Sequence, residues 1–562
     1  MNKKKFAATT LLATSIMLTP FTVMAESPKQ VTDQKITDAL VNLNKNKLFD
    51  NLESKLQQMG EEEKVPVIIQ FNEEFASGKA FEKLTSKIGM FKKTFEYKVI
   101  NGVAAKMTKK QIMLLEHLPF VKQVEYDAPI QMNLETANSW FGTTKARTDF
   151  GVTGDRDGNE RAYSKTDSVV AVIDTGIDAA HVDLDGGKVI GWKDLVNNRT
   201  TPYDDQGHGT HCASIVAGEG DSNPAHKGVA PGAALVGVKV LDSQGSGSMS
   251  TVTAGIDWAV QNKEVYGIEV ISLSLGTSGS SNGQDATSVA VNNASAAGIA
   301  VAVAAGNSGP SASTIGSPGA ADKAITVGAG ADLNEGGFNI TYFSSRGPTA
   351  DGRVKPDIFA PGYNITAAKA NSGNQYVTYS GTSMATPFTA GTIALMHDAN
   401  PSITEPEIKN ALYSTSIDFG KAGKDNEYGH GRLDGHAAVK AAGGLSGSGP
   451  LVPDHFYKRG TLSSGGSQTF TLDVTSTSFP ISMTVITENY SPGWLIFPAS
   501  HNYSVSLIDP SGKTVASSSE NERQDHAFFK PTQTGTYQVK VSSSRGSGAY
   551  DLDVSAGASS LN

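Results

Sequence analysis

The chain is 562 residues long, 38 % hydrophobic and 18 % charged, which is enough for several packed cores; ordinary domain sizes give about three or four. A net charge of -9 argues against a nucleic-acid-binding surface. The one cysteine, Cys212, excludes an intramolecular disulfide, so stability outside the cell has to come from packing, bound ions or slow unfolding.

The first residues read as a secretory signal: Lys3-Lys4-Lys5, an apolar run from Phe6 to Phe21, and Val23-Met24-Ala25 as a small-residue cleavage site. A membrane anchor is the alternative, but the run is short, contains Pro20 and ends in that cleavage pattern. No later stretch is apolar for long enough to span a bilayer. The expectation is an exported protein with no membrane association after export. A lysine- and glutamate-rich stretch follows and gives way at Val65 to a strand to Phe71 and a helix from Ala76 to Ile88. Two strands then lie within Phe95 to Met107 around the turn Asn101-Gly102. Thr108 suits an N-cap for a helix over Lys109 to Leu118, and Val121 to Tyr126 closes the unit as a strand. This βαββαβ order fits any small ferredoxin-like α+β domain.

From about Asn133 to Ala442 the apolar runs read as buried parallel strands: Ser168 to Ile173, Ala234 to Val240, Val270 to Leu275 and Ile299 to Ala304. Helical segments separate them over His211 to Ala217, Ser250 to Asn262 and Ala286 to Ala297. Alternation of this kind predicts an α/β fold, a doubly wound and mostly parallel sheet with ligands at the carboxyl ends of its strands.

Four short stretches here carry chemistry: Val170-Ala-Val-Ile-Asp174-Thr-Gly176, Gly207-His208-Gly-Thr-His211, Ala304-Ala-Gly306-Asn307 and Gly381-Thr-Ser383-Met-Ala-Thr-Pro387. A serine hydroxyl is a weak nucleophile until an imidazole takes its proton, and that imidazole needs a carboxylate to fix its tautomer and stabilise its charge. Asp174, His208 and Ser383 are three such groups. Gly207, Gly209, Gly306 and Gly381 allow close backbone approach around a reacting carbonyl. Each motif also has a plainer reading. Asp-Thr-Gly is often a cap or turn, and the second copy an aspartic protease needs is missing. His208 and His211 stand three apart with no glutamate beside the first, unlike the His-Glu-x-x-His helix of zinc proteases. Ser383 suits an N-cap for a helix over Met384 to Met396 with Pro387 in its first turn, where the helix dipole also favours an oxyanion.

In the order Asp, His, Ser the chain resembles the subtilisin-like serine proteases, or subtilases; trypsin-like enzymes run His, Asp, Ser and nucleophile-elbow hydrolases Ser, Asp, His. Phe343-Ser-Ser-Arg-Gly-Pro348 and Lys355-Pro-Asp-Ile-Phe-Ala-Pro-Gly362 extend the match, and Gly-x-Ser-x-Gly is absent because Ala385 holds the fifth position. The resemblance implies a secreted serine endopeptidase of broad specificity, working through an acyl-enzyme and made as a self-processed zymogen. It implies Asn307 as an oxyanion donor beside the backbone N–H of Ser383. It also implies Gly245-Ser246-Gly247 and Ser274-Leu275-Gly276 as segments that pair with an extended substrate. Small residues at Ala302-Val-Ala-Ala305 leave room for a large apolar residue before the cut bond. Residues 26–132 become a propeptide with an inhibitor-like core over 64–127, the stretch Ile100-Asn-Gly-Val-Ala-Ala105 being close to the usual motif. That propeptide would act as intramolecular chaperone and inhibitor, and be cut between Ala128 and Ala137. Protein and peptide substrates and a monomeric enzyme are the implied partners and state.

No cofactor is implied for the chemistry. Structural calcium is implied at Asp183 with Asp221 or Asn223 of the loop Gly218 to Lys227, which departs from the common pattern; Asp155-Arg-Asp157-Gly-Asn159 is a second acidic cluster. Solvated turns are the plainer reading of both. Cys212 follows His211 as in the thiol-containing branch of the family, with simple burial as the alternative role. A catalytically dead binding protein and an esterase of another fold are the competing functions; the intact catalytic groups and the triad order disfavour them.

After Ala442 the stretch Gly443-Gly-Leu-Ser-Gly-Ser-Gly-Pro450 looks like a flexible linker, covering 443–453. Short alternating runs over Thr469 to Val474, Ile481 to Ile486, Tyr503 to Ile508, Ala527 to Lys530, Tyr537 to Val541 and Tyr550 to Val554 predict an all-β sandwich over 454–562. Gly535-Thr-Tyr-Gln-Val-Lys540 and Ser547-Gly-Ala-Tyr550-Asp-Leu-Asp-Val554 resemble C-terminal domains of secreted bacterial peptidases, which bind insoluble substrate, aid export or are trimmed away.

Overall fold

The computed structural model describes residues 46–562 apart from 49, 58, 61–62, 73–78, 98–101, 127–133, 160, 489, 491–498 and 520–522. The expected signal sequence and much of the expected processing segment lie outside the described residues. Among the described residues no helix is long and apolar enough to cross a membrane. The chain divides into two units, Met1–Gln131 and Met132–Asn562.

The first unit is an antiparallel sheet of β1 (Lys64–Phe71), β2 (Lys92–Tyr97), β3 (Gly102–Thr108) and β4 (Val121–Tyr126) in the order β2-β3-β1-β4. Strict alternation along β1 buries Val65, Val67, Ile69 and Phe71 against Leu84, Ile112 and Leu115 of two helices, Lys79–Ile88 and Lys109–Leu115. Thr108 caps the second helix as expected, in a capping box with Gln111. A further helix, Asp50–Gln57, arises from the charged stretch that precedes β1. Leu48, Leu52 and Leu56 recur at four-residue intervals and add to the same core, a stripe too thin to stand out among the charges.

In the second unit, seven parallel strands form one sheet: β5 (Val169–Asp174), β6 (Val189–Asp194), β7 (Ala234–Lys239), β8 (Ile268–Leu273), β9 (Ala300–Ala304), β10 (Ile325–Gly330) and β11 (Ile358–Pro361). Their order is β11-β10-β9-β8-β5-β7-β6. Every residue of β5 is buried, because each face has its own core. Val170 and Val172 face one, with Phe388 and Ile393 of the helix Thr382–Ala399. Val169, Ala171 and Ile173 face the other, with Val252 and Ile256 of the helix Met249–Gln261 and Val291 of the helix Ala286–Ala296. Each valine, isoleucine or phenylalanine among them contributes about 1.5–3 kcal/mol on burial, which is why these strands read as unbroken apolar runs. From β5 the chain turns to β6 and β7 on one side and to β8 through β11 on the other. The crevice for a ligand therefore opens at the carboxyl end of β5 and its neighbours. A hairpin of β12 (Ile365–Ala368) and β13 (Tyr376–Tyr379) precedes the helix Thr382–Ala399.

The C-terminal part is all β. One sheet has the order β14-β21-β16-β19, with β14 (Asp454–Leu462), β16 (Ile481–Thr487), β19 (Gln524–Phe529) and β21 (Gly548–Ala556). The other runs β18-β17-β20-β15-β22, with β15 (Ser467–Val474), β17 (Asn502–Ile508), β18 (Thr514–Ser518), β20 (Gly535–Arg545) and β22 (Ala558–Leu561). Leu472, Val505, Val539, Leu552 and Val554 pack between the sheets.

The sandwich sits directly on the loop that follows β10. Gly337 has φ +121°, and a Cβ there would stand 1.9 Å from the Ser482 hydroxyl. Gln524 donates to the Ile340 carbonyl at 2.9 Å and His526 meets the Gly336 carbonyl at 2.7 Å. Val452, inside the segment expected to be a flexible linker, packs against the core of the α/β part. Glu427 lies between two guanidinium groups, that of Arg523 and that of Arg346, which is 1 % exposed and 2.8 Å away. Removing one partner of such a buried group costs about 3–5 kcal/mol, since a charge stays behind without its counterion. Glu427→Ala is therefore expected to loosen the sandwich: limited proteolysis releases a C-terminal fragment from the variant and not from the parent, and an unchanged digestion pattern contradicts this.

Candidate active site

Asp174 is the last residue of β5 and is 1 % exposed. His208 opens the helix His208–Ala217, and its Nδ1 lies 2.7 Å from Asp174 Oδ1. A carboxylate only accepts, so the ring proton sits on Nδ1 and Nε2 is left as the base. The backbone N–H of Thr175 donates to the same Oδ1 at 2.7 Å. Burial opposes the charged ring, yet the Asp174 carboxylate, with Cys212 beside it, outweighs burial and holds the His208 pKa well above the usual imidazole range.

A residue that the sequence did not single out, Asp204, fixes this pair. Buried to 1 % exposure, it accepts at Oδ1 from the Gly207 N–H at 2.8 Å and the Thr175 hydroxyl at 3.0 Å. Its Oδ2 accepts from the Thr210 N–H at 2.9 Å and the Thr210 hydroxyl at 2.7 Å. It thus serves as a remote cap for the helix that carries His208, whose own N-cap, Gly207, has no side chain. Gly209 lets this helix touch the turn after β5: a Cβ there would lie 2.2 Å from the Gly176 carbonyl.

Ser383 lies in the first turn of the helix Thr382–Ala399, whose N-cap is Gly381. The serine is therefore inside the helix and is not its cap. Its N–H belongs to the first turn, which has no intrahelical acceptor. Pro387 falls one turn later, inside the helix, and cannot donate to the Ser383 carbonyl. That carbonyl instead accepts from the Ser274 hydroxyl at 2.9 Å and the Cys212 thiol at 3.3 Å. Cys212 also stands 3.8 Å from His208 Nδ1, so one buried thiol touches both halves of the site, and burial raises its pKa. The Ser383 hydroxyl donates to the Ser274 carbonyl at 3.1 Å, and no hydrogen bond joins it to His208 in this state.

Asn307 follows β9 and faces the same turn. Its Oδ1 accepts from the Thr382 N–H at 2.9 Å and from the Thr382 hydroxyl at 3.1 Å, which leaves Nδ2 as a free donor end. The Thr382 hydroxyl in turn accepts from the Gly306 N–H at 3.2 Å. Such a preorganised donor acts on charge that appears only in the transition state. Asn307→Ala is expected to lower kcat by about 10²–10³, a magnitude measured on subtilisin itself, with little change in KM. Equal losses in binding and turnover contradict that role.

Gly245, Ser246, Gly247, Ser274, Leu275 and Gly276 all line one groove with His208, Leu241 and Met249, a cavity of about 480 Å³. The structure thus gathers both expected substrate segments beside the imidazole. His211 goes elsewhere. Its Nε2 meets the carbonyls of Ile365 and Val377 at 3.1 Å each, and burial, with His208 nearby, pushes its pKa down to about 3. The two histidines therefore do not form a metal pair.

The expected calcium residues lie side by side, with the Asp221 carboxylate turned away from Asp183. Asp183 Oδ1 accepts from the Asp221 N–H at 3.0 Å and the Tyr376 hydroxyl at 3.1 Å, while the Asp221 carboxylate faces Arg161 at 3.1 Å. Both donors meet Oδ1, while Asp183 Oδ2 is buried with no hydrogen-bond partner among the described residues, and the buried ammonium of Lys188 lies 3.7 Å from Glu219 in the same loop. In the second acidic cluster Asp167 joins Asp155 and Asp157, and its oxygens accept from the Arg156 and Ser164 N–H groups at 3.2 and 2.8 Å.

Comparison with known proteins gives the family. The family model described as the subtilase family matches residues 165–431, and one described as the Tk-SP N-propeptide domain matches residues 43–111. Serine protease AprX of Bacillus subtilis is 38 % identical over 413 residues, 69 % of this chain and 90 % of that protein. Subtilisin E of the same organism is 35 % identical over 368 residues, 65 % and 87 % of the two chains, and subtilisin DY of Bacillus licheniformis is 39 % identical over 282 residues, 50 % and 93 %. The chain belongs to the subtilase family: it is a serine endopeptidase that carries an N-propeptide domain and needs no cofactor for its chemistry.

Proposed function

We propose that Asp174, His208 and Ser383 are the catalytic triad, that Asn307 and the Ser383 N–H hold the oxyanion, and that the protein is a secreted endopeptidase of broad specificity released from a self-processed zymogen. The 2.7 Å bond between His208 Nδ1 and Asp174 Oδ1, at the head of the groove that Ser274–Gly276 and Gly245–Gly247 line, carries the reading. Attack needs the Ser383 hydroxyl to leave the Ser274 carbonyl and turn toward Nε2 of His208. Its proton passes to Nε2 as the Oγ–C bond forms, and Asp174 stabilises the imidazolium. The imidazolium then protonates the leaving amine, and water repeats the sequence to release the acid.

Main-chain pairing along the groove gives affinity with little sequence demand, and the small residues Ala302 to Ala305 leave room for a large apolar side chain before the cut bond. The proposed organisation is a signal over 1–25, a propeptide over 26–132, the peptidase domain over 133–442, a connection over 443–453 and the sandwich over 454–562. Casein digestion by the purified mature protein, blocked by a sulfonyl fluoride, is the expected result. No digestion, or digestion that survives the sulfonyl fluoride, contradicts it.

A further inference from the structure

A second cavity, of about 260 Å³, opens where the sandwich meets the peptidase part; Ala331, Glu335, Tyr342, Tyr363, Gln524 and His526 are among its walls. It shares no lining residue with the groove at His208. Along the carboxyl edge of the sheet that groove belongs to β7, β5 and β8, while the second cavity belongs to β10 and β11, with Asn307 at the end of β9 between them. A peptide that crosses Asn307 with its acyl part over Ser274 therefore carries its leaving part toward the second cavity. The link to the nucleophile is short. Gly362, before Tyr363, accepts from the Gly381 N–H at 2.7 Å, and Asn364, after it, donates to the Ser380 hydroxyl at 2.8 Å.

The walls have a definite chemistry. Among the described residues that line it, Glu335 is the carboxylate and there is no lysine or arginine. Its Oε2 accepts from the Asn364 amide at 2.8 Å, and burial together with the nearby Asp332 raises its pKa, as for a carboxylate short of a counterion. Tyr342, 61 % exposed, and Tyr363 offer ring faces. Burial lowers the His526 pKa, and its nitrogens meet the Gly336 carbonyl at 2.7 Å and the Thr484 hydroxyl at 3.0 Å.

We propose that this cavity is a substrate subsite on the leaving-group side, built jointly by the sandwich and the peptidase domain, that receives a lysine or arginine side chain several residues beyond the cut bond. The inference rests on the triad reading above and adds the substrate class that this side of the site selects. The sandwich then belongs to the substrate-binding surface and is more than an appendage.

The test uses the mature full-length enzyme and a set of peptides, identical up to the cut bond, with lysine, norleucine or glutamate placed in turn at each of the second to sixth positions after it. At one position lysine is expected to exceed glutamate about tenfold in kcat/KM, and Glu335→Gln brings the two together. Tyr342→Ala, at an exposed side chain, reduces the lysine preference without abolishing it. A short chromogenic substrate that ends at the cut bond reports folding and the triad, and both variants hydrolyse it at the parental rate. If the parent fails on that substrate, the triad reading falls. If the parent cleaves it but shows no lysine preference at any position, or keeps the preference in Glu335→Gln, the subsite is overturned and the triad reading stands.

Discussion

A Ser383→Ala variant of the full chain is expected to lose peptide hydrolysis by about 10⁶-fold, a loss known from subtilisin itself, and to remain at precursor length. The two effects have one cause. In the proposed scheme the same hydroxyl opens substrate bonds and the bond between propeptide and peptidase, so its removal stops both. The measurement is the intact mass and N-terminal sequence of the secreted variant, taken with no other protease present. A precursor that still matures to the parental N-terminus contradicts self-processing, and wild-type enzyme added in trans is expected to restore the cut.

Asp174→Asn is the second large effect, with kcat/KM lowered by about 10⁴-fold. An amide in place of the carboxylate presents a donor to His208 Nδ1 as readily as an acceptor, which favours the tautomer with its proton on Nε2 and removes the base. The sign of the accompanying pH change follows from the same bond. In the parent, Asp174 holds the imidazolium above the usual imidazole range against burial, so the acid limb of kcat/KM lies at higher pH than a free imidazole gives. With the charge gone, the main influence opposing burial is lost and the charged ring is disfavoured, so the limb moves to lower pH. A profile of kcat/KM against pH for both enzymes, on one chromogenic peptide, checks this. A limb that stays in place, or moves upward, contradicts the electrostatic account of His208.

Much of this site was legible because its parts lie in short local patterns. The run Val169–Asp174 is apolar throughout since both faces of β5 have a core, and the aspartate ends it where the sheet opens to ligand. The turn glycines of the motifs mark the close contact between Gly176 and Gly209. What escaped depends on contacts far apart in sequence. Asp204 reads as one acid in a polar turn, and only the fold brings its carboxylate to Thr175 and Thr210. Thr382 reads as a helix-start residue, but its hydroxyl orients Asn307, seventy-five positions away. Pro387 looks like a first-turn proline, yet it sits deeper and frees the Ser383 carbonyl for Ser274 and Cys212.

In the fold, β6, β10 and β11 were missed for a physical reason. Gly191, Trp192 and Lys193 interrupt β6, and Gly328, Gly330 and Pro361 shorten the other two. At the expected calcium residues a backbone N–H and a tyrosine hydroxyl meet one oxygen of Asp183, and no local motif shows which way the Asp221 carboxylate turns. Docking of the sandwich was equally hidden, since it turns on Gly337 meeting Ser482 and on Glu427 between two arginines.

Everything in the mechanism requires that His208 make one particular alcohol reactive. Treating the mature enzyme with a fluorophosphonate and following intact mass, peptide mapping and casein hydrolysis in the same sample tests this most directly. The account predicts a single adduct, on Ser383, whose extent matches the loss of activity, and no adduct in His208→Ala. Full hydrolysis alongside an unmodified Ser383, or equal modification without His208, would contradict it.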